Sequence, residues 1–174
     1  MCPPSARLYS SSITVTNHPS SSPPPRRKRI RLPLRDYSTP TARYFVTVCC
    51  RGKKPLLVHA SHRSIARDAL CHTARTQRVE LAAYTILPTH LHFIASGGRL
   101  GLLAFLREFK SRSALALARC GIPFPQWQRS FFDHKLRSKE SLRRKCGYIW
   151  NNPVRSGLAK KPEDYPWSGA FLTA

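Results

Sequence analysis

The chain beyond residue 40 alternates between short runs of β-branched and aromatic residues and longer stretches with apolar positions at helical spacing. The elements that this pattern predicts are strands over Tyr44–Cys49, Leu81–Leu87, Leu91–Ala95 and Phe131–Leu136, and helices over His62–Ala74, Leu100–Arg119 and from Ser138 to just before Pro153. Their order is β-α-β-β-α-β-α. Such an order predicts an α+β fold with helices on one face of an antiparallel sheet.

The first 36 residues have a different composition from the rest. Eight of the fifteen prolines lie within the first forty residues, together with most of the Ser/Thr clusters. Because proline favours extended, solvated backbone, we predict a disordered basic arm over residues 1–36 and a single domain over residues 37–174. The cationic run of the arm consists of Arg26, Arg27, Lys28 and Arg29. It suits either a solvated tail or an arm that binds phosphates.

The charge balance indicates the class of partner. Thirty Lys and Arg stand against eight Asp and Glu, a formal net charge of +22. A small protein with this excess attracts polyanions, of which nucleic acid is the commonest; an acidic protein or an anionic membrane surface also fits. No stretch approaches the ~18 apolar residues of a membrane span, and the first 25 residues lack the apolar core of a secretory signal. We therefore expect a cytoplasmic protein.

His90 and His92 form the first candidate site, in the segment His90-Leu91-His92. Side chains two residues apart on a strand project to the same face, so both imidazoles can converge on one cation while Leu91 packs on the other side. Two imidazoles do not complete a coordination shell, so a further oxygen or nitrogen donor is needed. A pair with no metal, on the surface or in the core, remains the alternative.

Tyr148 forms the second candidate site, late in the predicted third helix. Residues four apart share a helix face, which aligns Arg144, Tyr148 and Asn152, with Lys145 beside them. Positive charge near a phenol oxygen favours its attack as a nucleophile. The alternative is a tyrosine packed at the edge of the core with its hydroxyl in water.

Taken together, these residues favour phosphoryl transfer. His90, His92 and Asn152 would hold a divalent ion, and Tyr148 would attack the phosphorus of a bound phosphate. Imidazole and amide-oxygen ligands, shared with substrate oxygens, suit Mg²⁺ or Mn²⁺.

The sequence resembles the HUH single-tyrosine transposases, and within them the REP-associated tyrosine transposases. The resemblance covers roughly residues 37–170. It rests on Tyr44–Thr47, Ala83–Phe93 and Phe109–Ser111, and most specifically on Trp127–His134, Tyr148–Leu158 and Pro162–Ser168. The resemblance implies a ferredoxin-like domain in which His90 and His92 bind the metal. It also implies that Tyr148 cuts single-stranded DNA near a hairpin, leaving a 5′-phosphotyrosine link and a free 3′-hydroxyl.

The chain departs from the family at Thr89, where Asn is frequent, although Thr retains a hydroxyl. Gly147, directly before Tyr148, weakens the helix by about 1 kcal/mol relative to Ala. The long Pro/Ser arm is also unlike the compact start typical of the family, so its role is not implied by the resemblance.

Cations across the chain are candidates for contacts with DNA phosphates. Besides the arm, they are Lys110, Arg112, Lys135, Arg137, Arg143, Arg144 and Lys145. Trp127, Phe131 and Phe132 are either surfaces on which bases stack or aromatic residues of the core.

We therefore expect a metal-dependent transposase that acts on hairpin-bearing single-stranded DNA in the nucleoid, as a monomer or a homodimer. The alternative is a catalytically idle, domesticated DNA- or RNA-binding protein of the same fold. A basic ribosome- or RNA-associated protein would fit the charge but would leave the His pair and Tyr148 unexplained.

Overall fold

The computed structural model describes residues 37–170, so the predicted basic arm and residues 171–174 lie outside the described part of the chain. The strands are β1 (Arg43–Cys49), β2 (Leu81–Ile86), β3 (His90–Ser96), β4 (Phe132–Leu136) and β5 (Ser168–Ala170). The helices are α1 (Ala60–Thr76), α2 (Leu102–Arg119), α3 (Lys139–Trp150) and the short α4 (Asn152–Arg155). None of the described helices is long and apolar enough to cross a membrane.

The five strands form one antiparallel sheet in the order β4-β1-β3-β2-β5. In β1 and β3, Thr47 lies opposite His92 and Cys49 lies opposite His90. Directly opposed residues of an antiparallel pair project to the same face, so the His pair and Thr47 share one face of the sheet.

Each face of the sheet has its own hydrophobic core. The larger core holds the apolar faces of α1 and α2 against one face of β1, β2 and β3. The smaller core holds α3 against the other face, and consists of Phe45, Ala82, Ala83, Ile94, Leu136, Cys146 and Ile149. The His pair, which shares the face of Phe45 and Ile94, therefore lies on the α3 side.

The structure confirms the α+β class and the antiparallel sheet. It also confirms Ser138 as the N-cap of α3, because its hydroxyl accepts a hydrogen bond from the Ser141 amide at 3.1 Å. The two long helices share one face as expected, whereas α3 covers the opposite face. The reason is that β2 and β3 also carry Ala83 and Ile94 on the second face, so that face also needs a covering element.

The chain after α4 adds the unpredicted edge strand β5. Tyr165, on the way to this strand, donates its hydroxyl proton to the Ile86 carbonyl at 2.7 Å, and the hydroxyls of Ser168 and Thr85 lie 2.7 Å apart. Arg63 stacks over the Trp167 ring at 4.0 Å. These contacts, and not a two-residue periodicity, place the three residues of β5 beside β2.

Candidate active site

His90 and His92 meet at their outer ring nitrogens. The two Nε2 atoms are 3.1 Å apart. Each inner nitrogen is hydrogen-bonded to a threonine hydroxyl, His90 Nδ1 to Thr89 and His92 Nδ1 to Thr47, both at 2.8 Å. The hydroxyls fix the orientation of both rings, and the strand spacing brings the two Nε2 atoms together.

The surroundings of both imidazoles disfavour their protonation. Burial lowers the pKa of His92 to about 3, and positive charge on His90 and Lys145 acts in the same direction. Burial and the ammonium of Lys53 also lower the pKa of His90. A neutral imidazole keeps a lone pair on one nitrogen, which is the form that binds a metal ion.

This pair has the geometry of two neighbouring metal ligands. Ligands at right angles on an octahedral ion, with bonds of about 2.1 Å, lie about 3 Å apart. A proton on each Nδ1, donated to the threonine oxygen, would leave both Nε2 lone pairs for the ion. Residues 37–170 hold no group of three or more His, Cys, Asp or Glu side chains suited to a metal. Further ligands would therefore be of another kind, such as an amide oxygen, water or a phosphate oxygen.

Tyr148 lies over the same face of the sheet. Its ring centroid is 5.9 Å from that of His92 and 6.1 Å from that of Phe45. Phe45 in turn stacks on His92, with centroids 5.5 Å apart and an interplanar angle of 22°. The neighbouring residues Cys146 and Ile149 are buried against the sheet, whereas Tyr148 is 36% exposed. The helix therefore holds the Tyr148 ring beside the His pair and leaves it accessible to a ligand.

Two cations flank the Tyr148 ring. The Lys145 ammonium lies 5.6 Å from its centroid and 4.8 Å from that of Phe45, and the Arg155 guanidinium lies 5.3 Å from the Tyr148 centroid. Arg144, which was predicted to share the face of Tyr148, is exposed on α3. The structure thus brings Lys145 to the site and adds Arg155, which the helix-spacing argument missed.

Asn152 is placed differently from the prediction of one continuous helix face. The helix α3 ends at Trp150, and Asn152 is the buried first residue of α4. Its side-chain oxygen accepts a hydrogen bond from the Ser156 hydroxyl at 3.3 Å. Among residues 37–170, the hydrogen bonds and ring contacts do not join Asn152 to either histidine. Its role as a ligand stays a prediction.

Comparison with known proteins decides the family. No protein-family model matches the sequence. A REP-associated tyrosine transposase of Escherichia coli (strain K12) is 30% identical over 127 residues, which are 72% of this chain and 74% of that protein. The chain belongs to the REP-associated tyrosine transposases. It is accordingly a transposase, a protein of DNA transposition.

A solved structure supports the same family. A REP-associated tyrosine transposase bound to a REP hairpin superposes on the chain with a TM-score of 0.63 and 29% sequence identity. The match covers 76% of this chain and 78% of that protein. The α+β sheet architecture is therefore that of a REP-associated tyrosine transposase.

Lys110, Arg112, Lys135 and Arg137 are four further cations of this REP-associated tyrosine transposase that the sequence predicts to contact DNA phosphates. The Lys110 ammonium donates to the carbonyls of residues 128–130, the shortest bond being 2.8 Å. Arg112 pairs with Glu108 on α2 at 2.8 Å. Lys135 lies opposite Tyr44 and so on the α1 and α2 side, and Arg137 is exposed after β4. Arg26, Arg27, Lys28 and Arg29 lie outside the described residues.

The structure separates the three aromatic candidates. Trp127 is buried and donates its indole proton to Ser113 at 2.9 Å, and Phe131 packs against the larger core. Phe132, in contrast, is 61% exposed. It lies opposite Thr47, so it shares the face of the His pair, and its ring centroid is 6.5 Å from that of Phe45. Of these three residues, Phe132 is the one placed to meet a ligand.

Sequence reasoning missed Thr47, Phe45 and Arg155. The sequence did contain a signal for Thr47 and Phe45. Antiparallel pairing of the predicted strands Tyr44–Cys49 and Leu91–Ala95 would have placed these two residues beside the His pair. For Arg155 there was none, because its position depends on the chain direction after the break at Asn151.

Proposed function

We propose that the chain cleaves and rejoins hairpin-bearing single-stranded DNA through a covalent link between Tyr148 and a 5′-phosphate. The observation that carries the proposal is the convergence of an accessible tyrosine and two imidazoles on the sheet face that α3 covers, with the Tyr148 and His92 centroids 5.9 Å apart. The hairpin-bound relative supports DNA as the substrate. A chain with this substrate would act in the cytoplasm, at the nucleoid.

In the cleavage step, the Tyr148 phenol oxygen attacks the phosphorus of the scissile phosphodiester. A bond forms between that oxygen and phosphorus, and the bond from phosphorus to the 3′-oxygen breaks. The phenol proton passes to solvent, which reaches the partly exposed ring, and the departing 3′-oxygen takes up a proton from solvent. Attack of a 3′-hydroxyl on the phosphotyrosine reverses these changes and joins the strands.

His90 and His92 would hold a divalent ion, Mg²⁺ or Mn²⁺, with Asn152 as a proposed third ligand. The chemistry that such an ion supplies when bound is polarisation of the phosphate oxygens and neutralisation of their charge. The threonine hydroxyls of residues 47 and 89 fix the ring orientations before DNA binds, so the ligands need little rearrangement. The 3.1 Å spacing of the two Nε2 atoms supports the roles of the His pair, whereas the role of Asn152 rests on the sequence alone.

Lys145 and Arg155 would act on charge at the reacting oxygens. Both cations lie beside the Tyr148 ring, so they attract the incoming phosphate and balance the negative charge of its oxygens. Phe132 offers an exposed ring on the same face, on which a base next to the scissile phosphate can stack. Tyr148 therefore meets a strand that is held at both its phosphate and its base.

The test is a search for the covalent adduct. The full-length protein is incubated with 5′- or 3′-labelled hairpin DNA from beside its own gene, with and without Mn²⁺ or Mg²⁺, and separated on a denaturing gel. We expect a protein–DNA adduct that carries the label from the 3′ side of the cut, only when the divalent ion is present. Tight hairpin binding with neither adduct nor cleavage would instead support the catalytically idle binding protein.

A further inference from the structure

The ring of Phe45 contacts each kind of group that the proposed reaction uses. It stacks on the His92 ring, with centroids 5.5 Å apart and an interplanar angle of 22°. The Tyr148 ring meets it at an angle of 70°, with centroids 6.1 Å apart, and the Lys145 ammonium lies 4.8 Å from its centroid. A side chain with no reacting atom therefore touches a proposed metal ligand, the proposed nucleophile and a cation.

The backbone holds Phe45 in the middle of the sheet. In β1 it is paired with Ile94 of β3 on one side and with His134 of β4 on the other. Its side chain is 5% exposed and belongs to the smaller core, under α3. A residue on a strand that is paired along both edges has a well-defined position, so its ring offers a fixed surface to the groups around it.

The three contacts of Phe45 have favourable geometry. Aromatic rings prefer stacked or edge-to-face arrangements with centroids about 4.5–7 Å apart, and the pairs with His92 and Tyr148 both meet this condition. A cation within about 6 Å of a ring centroid is attracted by the negative face of the ring, as is the case for Lys145. Each contact therefore favours one orientation of the group that makes it.

The Phe45 contact with His92 complements the hydrogen bond to Thr47. The Thr47 hydroxyl lies 2.8 Å from His92 Nδ1 and acts in the plane of the imidazole. The Phe45 ring lies against the face of the imidazole and acts perpendicular to that plane. Together the two contacts restrict both the rotation and the tilt of the ring that presents Nε2.

We propose that Phe45 is a positioning residue for the proposed cleavage. Its ring sets the orientation of His92 and Tyr148 relative to each other and holds the Lys145 ammonium beside both. The inference rests on the proposed function for the identity of the reaction. It adds a residue that acts on the rate through its neighbours and takes no part in bond making.

The experiment removes the ring and retains an apolar side chain, in Phe45→Leu and Phe45→Met. Two variants are used so that one folded protein suffices, since swaps between apolar residues of similar volume are tolerated best. The rate of adduct formation by the full-length protein is measured with Mn²⁺ at increasing concentrations of labelled hairpin DNA. We expect the maximal rate to fall about 10- to 100-fold, the effect of a small misplacement of reacting groups. The half-saturating DNA concentration should stay near the wild-type value, because phosphate contacts supply most of the affinity.

A spectroscopic measurement reports the positions without any reaction. An aromatic ring shields protons that lie over its face, so the His92 ring protons and the Lys145 ε-methylene protons should move downfield when the Phe45 ring is removed. These signals are followed by NMR in full-length protein labelled at His and Lys, without DNA or metal.

The matched control is Phe93→Leu. Phe93 lies opposite Val46 in β3, is fully buried in the larger core and packs edge-to-face with Phe105 at 5.8 Å. This variant should lower Tm at least as much as Phe45→Leu, yet react at the wild-type maximal rate at temperatures where it is folded.

Four results would overturn the proposal: a wild-type rate in a folded Phe45 variant, a loss confined to the half-saturating DNA concentration, an equal loss of maximal rate in Phe93→Leu, or unmoved His92 and Lys145 signals. A wild type that forms no adduct would instead refute the proposed function. The NMR signals would then still decide whether Phe45 positions its neighbours.

Discussion

Replacing Tyr148 by Phe removes one oxygen from a site that the structure otherwise leaves intact. The contacts of Tyr148 with Phe45, His92, Lys145 and Arg155 are contacts of its ring, and phenylalanine retains them. The ring is 36% exposed, so loss of the hydroxyl leaves no buried polar group unpaired. We expect the free energy of unfolding to change by no more than about 0.5 kcal/mol.

The chemical effect of Tyr148→Phe should be complete. The phosphotyrosine bond needs the missing oxygen, so no covalent adduct can form, whereas affinity for the hairpin should stay near the wild-type value because phosphate contacts supply it. The measurements are a denaturing gel with labelled hairpin DNA, a binding isotherm on the same DNA and a thermal melt.

Tyr165→Phe is the control with the opposite expectation. Tyr165 is buried, and its hydroxyl donates to the Ile86 carbonyl at 2.7 Å. Its loss should destabilise the fold by about 1–3 kcal/mol and lower Tm by about 2–4 °C for each kcal/mol. The adduct should still form at temperatures where this variant is folded. Tyr84→Phe, on β2, should also retain the adduct.

Comparing Tyr148→Phe with Tyr165→Phe and Tyr84→Phe therefore distinguishes loss of the reacting oxygen from loss of folding stability. An adduct that persists in Tyr148→Phe and disappears in folded Tyr165→Phe or Tyr84→Phe would show that another tyrosine is the nucleophile. Cleavage that survives all three changes and needs only metal would make the enzyme a hydrolytic nuclease.

Three further changes test the remaining parts of the site. His90→Ala or His92→Ala should abolish divalent-dependent cleavage in the gel assay and leave most DNA affinity; full cleavage by the double variant would contradict the metal site. Thr47→Val should weaken Mn²⁺ binding, measured by calorimetry, about 10- to 100-fold, and a raised Mn²⁺ concentration should restore cleavage. An unchanged affinity for Mn²⁺ would mean that the Thr47 hydroxyl does not orient His92. Deletion of residues 1–36 removes seven Lys or Arg. It should reduce the slope of log affinity against log salt concentration by about 0.7–0.9 for each DNA phosphate that the arm neutralises in the wild type. An unchanged slope would exclude a role for the arm in DNA binding.

Features that depend on neighbouring residues in the chain were predicted correctly from the sequence. The strand over Tyr44–Cys49 and the Ser138 cap are found within a residue or two of their expected positions, because β-branched runs and capping side chains act over short distances. The projection of both imidazoles to one face follows from the two-residue period of a strand.

What the sequence left open depends on contacts between distant parts of the chain. The placement of α3 on the second face of the sheet required knowing that Phe45 and Ile94 lie side by side and need cover. The position of Asn152 depends on the break at Asn151, which Pro153 suggests without specifying the direction of the chain after it. Strand β5 is too short to carry a period and is held by side-chain bonds to residues about 80 positions away.

Because the hydrophobic residues are divided between the two faces of the sheet, amino-acid substitutions on the two faces should affect folding stability differently. The large side chains of the core, among them Tyr44, Phe93, Phe105 and Phe109, pack with α1 and α2, whereas the hydrophobic cluster under α3 has seven buried residues, two of them alanines. Substitutions under α3 can therefore displace Tyr148 from the His pair while most of the buried apolar surface, and so most of the folding stability, is retained. Inactive copies that still fold and bind DNA should arise more readily through the α3 side than through loss of any single reacting group.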